Sequence, residues 1–142
     1  MHGTMKAARL HGFERTHGSS EIVRVDDVPI PDLATGEVLI RVLRAGLNHG
    51  DLHMRQDAVQ YSPEVKTVPD LPMTIGHDGL GEVVEVGPDV ESVRVGDRVV
   101  VICSITCGSC KYCRSERQHL CQTKKTMGFL TKFGEGPAYL RR

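Results

Sequence analysis

The chain has 142 residues, 39% of them hydrophobic and 25% charged, which is one globular domain's worth of polypeptide rather than a disordered segment. Eighteen Lys and Arg offset eighteen Asp and Glu, a balance that argues against nucleic-acid binding by bulk electrostatics and against a basic membrane-surface protein. The longest apolar run, Val99-Val100-Val101-Ile102-Cys103, falls far short of the roughly 20 residues of a membrane span, and the opening Met1-His2-Gly3-Thr4-Met5 lacks a signal-like apolar stretch. A soluble, cytoplasmic chain is the expectation. With aromatics at 4% and no Trp, its core has to be built from Val, Ile and Leu.

In chain order, weak strand signals come first, at residues 6–10 and 22–28, the second closed by Pro29 and Pro31. Residues 37–44 alternate, with Val38, Ile40 and Val42 expected on one strand face and Glu37 and Arg41 on the other. Residues 50–56 suit a short helical turn, and no long stripe of 3.6-residue period occurs anywhere. Residues 81–86 read as a strand stopped by the turn Gly87-Pro88-Asp89. Residues 93–95, the tight turn Gly96-Asp97 and residues 98–102 read as strand, turn, strand. Short β-branched strands between Gly and Pro turns predict a β barrel or sandwich. Residues from about 104 to 125 break the pattern.

That break holds Cys107-Gly-Ser-Cys110-Lys-Tyr-Cys113, seven residues, and then Cys121. In a cytosolic chain, thiols so spaced suit a metal better than a disulfide framework. Four soft sulfur ligands suit zinc, and a Cys₄ site is closed and structural. Four thiolates and Zn²⁺ leave a net charge of about −2, and Lys111, Arg114, Arg117, Lys124 and Lys125 surround them with only Glu116 opposing. An iron–sulfur cluster is the rival, but ferredoxin runs continue x₃-C-P, whereas here the gap is seven and Gln122 follows. Ordering such a lobe costs about 1–2 kcal/mol per residue, which a zinc affinity of roughly 10–16 kcal/mol can offset. Cys103, at the end of an apolar strand, reads as a small core residue. His2, His11, His17 and His119 show no partner pattern and read as surface residues.

Taken with Gly76-His77-Asp78-Gly79-Leu80-Gly81-Glu82-Val83-Val84-Glu85-Val86-Gly87 and Val95-Gly96-Asp97-Arg98-Val99, the cysteine lobe resembles the medium-chain zinc alcohol dehydrogenases, over nearly the whole chain from Met5 to Tyr139. The resemblance is to their N-terminal, GroES-like catalytic domain. It implies a mainly β fold, a partly open barrel with short helices, occupying residues 1–142 with the lobe at about 104–125. It also implies one structural zinc per chain on Cys107, Cys110, Cys113 and Cys121.

Members of that family carry a second, catalytic zinc that polarises the alcohol or carbonyl oxygen for hydride transfer to or from a nicotinamide. One ligand matches His77, with Asp78 beside it in place of the commoner Glu. The stretch Gly46-Leu47-Asn48-His49-Gly50-Asp51-Leu52-His53 resembles the family's G-x-C-x-[ST]-D-x-H, with Asn48 at the cysteine ligand position and Gly50 at that of the proton-passing hydroxyl. Asp51 and His53 match residues that orient the metal site and relay protons, and His49 stands where a basic residue often meets the cofactor pyrophosphate. An amide is a poor partner for zinc, and Asn-x-x-Asp resembles the zinc-free quinone and enone reductases of the same superfamily. Two readings of His77 follow, a ligand of a catalytic zinc or a residue of a metal-free site, and the departures at Asn48 and Gly50 favour the second. In the metal-free version His77 lines a pocket or a polar core position, and Asn48 donates a hydrogen bond to the substrate carbonyl.

No dinucleotide fingerprint occurs. Gly79-Leu80-Gly81 continues into a strand rather than a helix, and there is no Walker motif or Gly-x-Ser-x-Gly elbow. The family's Rossmann domain follows this region, so NAD(P) is expected only with that missing domain and the 142 residues alone should be inactive. The expected substrate is a small alcohol or carbonyl, or an enone or quinone, with no nucleic-acid or membrane partner. The family's dimers and tetramers suggest a homo-oligomer. The alternative is a stand-alone zinc-stapled module for binding or assembly, without chemistry.

Overall fold

The computed structural model describes residues 3–14, 21–56 and 71–126. Three strands form the first sheet: β1 (Thr4–Leu10) lies between β2 (Val23–Pro29) and the two-residue β4 (Met73–Thr74), both antiparallel to it. Pro29, which has no N–H to donate, is accommodated at the end of the edge strand β2. The second sheet runs in the order β3 (Val38–Gly46), β5 (Asp78–Val86), β6 (Arg98–Val101), again antiparallel. A two-stranded pair, β7 (Ser104–Ile105) with β8 (Lys125–Thr126), closes the base of the cysteine lobe. The described strands do not close into a barrel, in keeping with the partly open, mainly β fold expected from the sequence.

Two hydrophobic clusters hold these layers. Val38, Ile40, Val83 and Val101 form one, with Val86, Val90, Val93, Val99 and Ile105 packed against it. Leu10, Ile22, Met54 and Met73 form the other. Met54 belongs to helix α1 (His49–Arg55), so the second cluster ties that helix to the first sheet. β3 and β5 can approach closely because position 81 has no side chain: a Cβ there would collide with Ile40 Cγ2 and lie 2.8 Å from the Arg41 carbonyl oxygen.

Three expectations need correction. Val42, expected on the buried face with Val38 and Ile40, is 46% exposed. Pairing is regular from Ile40 to Val42, opposite Val83 to Gly81, so Val42 faces a glycine that has no side chain to cover it, and the register shifts lie outside this stretch, between Leu39 and Ile40 and between Val42 and Arg44. Residues 93–95 are not a strand. Asp97 accepts the Arg94 N–H on its carboxylate at 3.0 Å and donates its own N–H to the Arg94 carbonyl at 3.1 Å, folding the segment into a turn. Gly96 takes φ +96°, open to glycine at no steric cost, and Val93 still packs on the core from outside a strand. Finally, His11 is not a partnerless surface histidine, because its Nε2 lies 2.7 Å from Asp26 Oδ2 and both side chains are half-buried. His119 is exposed as expected, while His2 and His17 lie outside the described residues.

Candidate functional site

The cysteine lobe is built from short turns. Gly108 has φ +71°, which lets the chain reverse within Cys107-Gly108-Ser109-Cys110. Cys110 then caps the single helical turn α2 (Lys111–Arg114), which carries Cys113. A 3₁₀ turn, Gln118–Leu120, delivers Cys121. The sulfurs of Cys110 and Cys113 are 3.5 Å apart, those of Cys107 and Cys121 3.7 Å, and those of Cys107 and Cys113 3.9 Å. All four lie within 4.8 Å of one another.

Covalent sulfur–sulfur bonds are about 2.05 Å, so these are free thiols. A tetrahedron with metal–sulfur bonds of about 2.3 Å has edges of about 3.8 Å, close to the separations present. Backbone N–H groups point at the same sulfurs, from Cys110 to Cys107 Sγ at 3.4 Å and from Cys107 to Cys121 Sγ at 3.5 Å.

That wiring sets the acidities of the metal-free thiols. The Cys110 N–H, aided by the N–H and hydroxyl of Ser109, holds exposed Cys107 down to about 5. The Cys107 N–H likewise lowers Cys121. Burial pushes Cys113 up to about 11. Lys111, Arg114, Arg117 and Lys124 are exposed on the same segment of chain, with the Lys111 ammonium 4.9 Å and the Arg117 guanidinium 5.8 Å from the Tyr112 ring centre. Cys103 lies outside the quartet, half-buried, with its sulfur 3.8 Å from Ser104 Oγ rather than in either core cluster.

The second group forms where α1 meets the start of β5. Asn48 is the N-cap of α1. Its Oδ1 accepts the Gly50 N–H at 2.7 Å, and Asp51 Oδ2 accepts the Asn48 N–H at 2.9 Å, a reciprocal capping box. The other end of the amide faces across the fold, with Nδ2 3.0 Å from His77 Nε2 and 2.6 Å from Asp78 Oδ2. Asp51 is the one buried charged residue among those described, and its Oδ1 lies 3.8 Å from His77 Nδ1.

The fold thus brings Asn48, Asp51 and His77 together. Asp78, noted in the sequence only as a replacement for Glu, is the missed fourth member. His53 is exposed on α1 and stands apart from this hydrogen-bonded set, and His49, the first residue of α1, is also exposed. The Asn48 amide nitrogen, read from the sequence as a donor to a substrate carbonyl, lies within hydrogen-bond distance of both His77 Nε2 and Asp78 Oδ2 in the free chain. The capping role had a readable signal, since Asn48-x-x-Asp51 has N-cap to N3 spacing.

Comparison with known proteins agrees with this architecture. The alcohol dehydrogenase GroES-like domain family matches residues 34–140. An NAD-dependent alcohol dehydrogenase of Sulfolobus acidocaldarius is 36% identical over 132 residues, covering 93% of this chain and 36% of the relative. An L-threonine 3-dehydrogenase of Streptomyces avermitilis is 41% identical over 102 residues, covering 72% of this chain and 29% of the relative. Among solved structures, a cobalt- and zinc-bound thermostable alcohol dehydrogenase from Pyrobaculum aerophilum superposes with a TM-score of 0.78 at 30% identity, over 98% of this chain and 40% of that one. The chain belongs to the alcohol dehydrogenase GroES-like domain family. It spans about a third of the length of the curated relatives it matches.

Proposed function

We propose that these 142 residues are the N-terminal catalytic domain of an NAD(P)-dependent, alcohol dehydrogenase-like oxidoreductase. The reaction is hydride transfer between a nicotinamide and a small alcohol or carbonyl, or reduction of an enone or quinone. The observation that carries this reading is the convergence of Asn48, Asp51 and His77 within a chain 36% identical over 132 residues to an NAD-dependent alcohol dehydrogenase. Among the described residues no glycine turn leads from a strand into a helix as a dinucleotide site requires, which supports a separate cofactor-binding region.

One zinc per chain sits on Cys107, Cys110, Cys113 and Cys121. Their sulfur spacing supports this assignment, as do their free thiols and the exposed basic residues on the same segment. With all four positions taken by sulfur, that zinc supplies stability rather than chemistry.

A second reading, a binding or assembly module without catalysis, draws support from Asn48, whose hydrogen-bonding groups are all engaged inside the protein. Isotope transfer separates the two. The full-length gene product, given nicotinamide cofactor deuterated at C4 and a panel of aldehydes, ketones, enones and quinones, is expected to pass deuterium to the product in at least one class. Absence of label with every class would overturn the enzymatic reading in favour of the module.

A further inference from the structure

We infer that the Asn48–His77–Asp78 group takes no metal, because the carboxamide nitrogen of Asn48 stands where a bridging cation would stand and makes Asn48 a positioning residue for His77. The amide orientation follows from its neighbours. The Gly50 N–H at 2.7 Å can only donate, and an ionised Asp78 carboxylate at 2.6 Å can only accept. Oδ1 must therefore face Gly50, and the two hydrogens of Nδ2 must face Asp78 and His77. Turning the amide over would set donor against donor at Gly50 and acceptor against acceptor at Asp78.

The contact with His77 at 3.0 Å then requires a lone pair on Nε2, which puts the imidazole proton on Nδ1, the side facing Asp51 Oδ1 at 3.8 Å. A zinc ion on Nε2 would need that same lone pair at about 2.0–2.1 Å, along the line the Asn48 N–H already occupies. Admitting it means swinging the amide away and losing the cap of α1 as well. The residues at this position thus do not fit a catalytic metal. Among the described residues, the cysteine quartet is the only cluster of three or more potential ligands close enough to share an ion.

This inference rests on the oxidoreductase reading only in calling the region catalytic, and both of its tests read out without turnover, so either can fail while the other holds. In the first, the chain with zinc in its cysteine lobe is titrated with cobalt(II) and followed by optical absorption and by paramagnetic shifts of the His77 ring. The unaltered protein is expected to take up no further cobalt at His77. Asn48→Asp keeps an oxygen for the Gly50 N–H but replaces the amide donor with an acceptor, and is expected to gain one additional equivalent bound by His77 and Asp78. Asn48→Cys is expected to gain it with a sulfur-to-cobalt charge-transfer band. Cobalt on His77 in the unaltered protein, or none on His77 in either folded variant, would overturn the inference. In the second test, ¹⁵N chemical shifts of neutral His77 in the unaltered protein are expected to report the Nδ1–H tautomer, and the Nε2–H tautomer would contradict it whatever the variants do.

Discussion

Cys107, on a turn, and Cys113, on α2, lie six residues apart with sulfurs 3.9 Å from each other, yet their environments pull their acidities in opposite directions. In the metal-free chain Cys107 is a thiolate at neutral pH and exposed, while Cys113 is buried and protonated. Iodoacetamide at pH 7 is therefore expected to alkylate Cys107 first and Cys113 last, with the Cys107 rate falling as pH drops through about 5, as read by mass spectrometry. Equal rates at all four positions would contradict this wiring. The sign for stability is the same. A thiol lowered from 9.0 to about 5 favours the ordered lobe fully above 9.0, and that contribution is lost as pH falls through about 5. Replacing one ligand acts more severely. Cys110→Ser is expected to release the metal and raise hydrogen exchange across residues 107–121 while amides of β5 stay protected. Full zinc stoichiometry in that variant would contradict the ligand assignment.

At the scale of elements, the sequence reported spacing well and depth poorly. The valine-rich strands around Val83 and Val101 and the turn at Gly96 were legible, because short β-branched runs between turn residues have few other uses. The exposure of Val42 was not, since it depends on its neighbour across the sheet 39 positions away, and Gly81 has no side chain to cover it. The candidate site divides in the same way. Four cysteines in one 15-residue stretch announce themselves by interval, but Asn48 meets His77 across 29 positions and Asp78 across 30, contacts that only the fold creates. Close approach of β3 and β5 also makes Gly81 irreplaceable. Gly81→Ala sets a methyl against Ile40 and the Arg41 carbonyl, and is expected to cost about 1–3 kcal/mol in urea unfolding. Leu10→Ala, which empties a fully buried position against Ile22, Met54 and Met73, is expected to cost about 2–5 kcal/mol by the same measurement. An unchanged midpoint in either variant would contradict the packing described.

At the scale of the whole molecule, among the described residues one cluster of Val and Ile, one of Leu, Ile and Met, and one sulfur-lined lobe divide the work of holding a chain with no Trp and few aromatics. Among the described residues the lobe contributes only Cys113 and Cys121 to the buried hydrophobic set, so the proposed zinc shared by its thiols would supply its order. The alcohol dehydrogenase reading depends on the same point, because the cysteine spacing is what first tied this sequence to its family. Metal analysis combined with zinc-edge X-ray absorption on the purified chain tests it most directly. One zinc per chain surrounded by four sulfurs at about 2.3 Å is expected. A chain that folds without zinc, or zinc held in a mixed shell of nitrogen and oxygen, would contradict it.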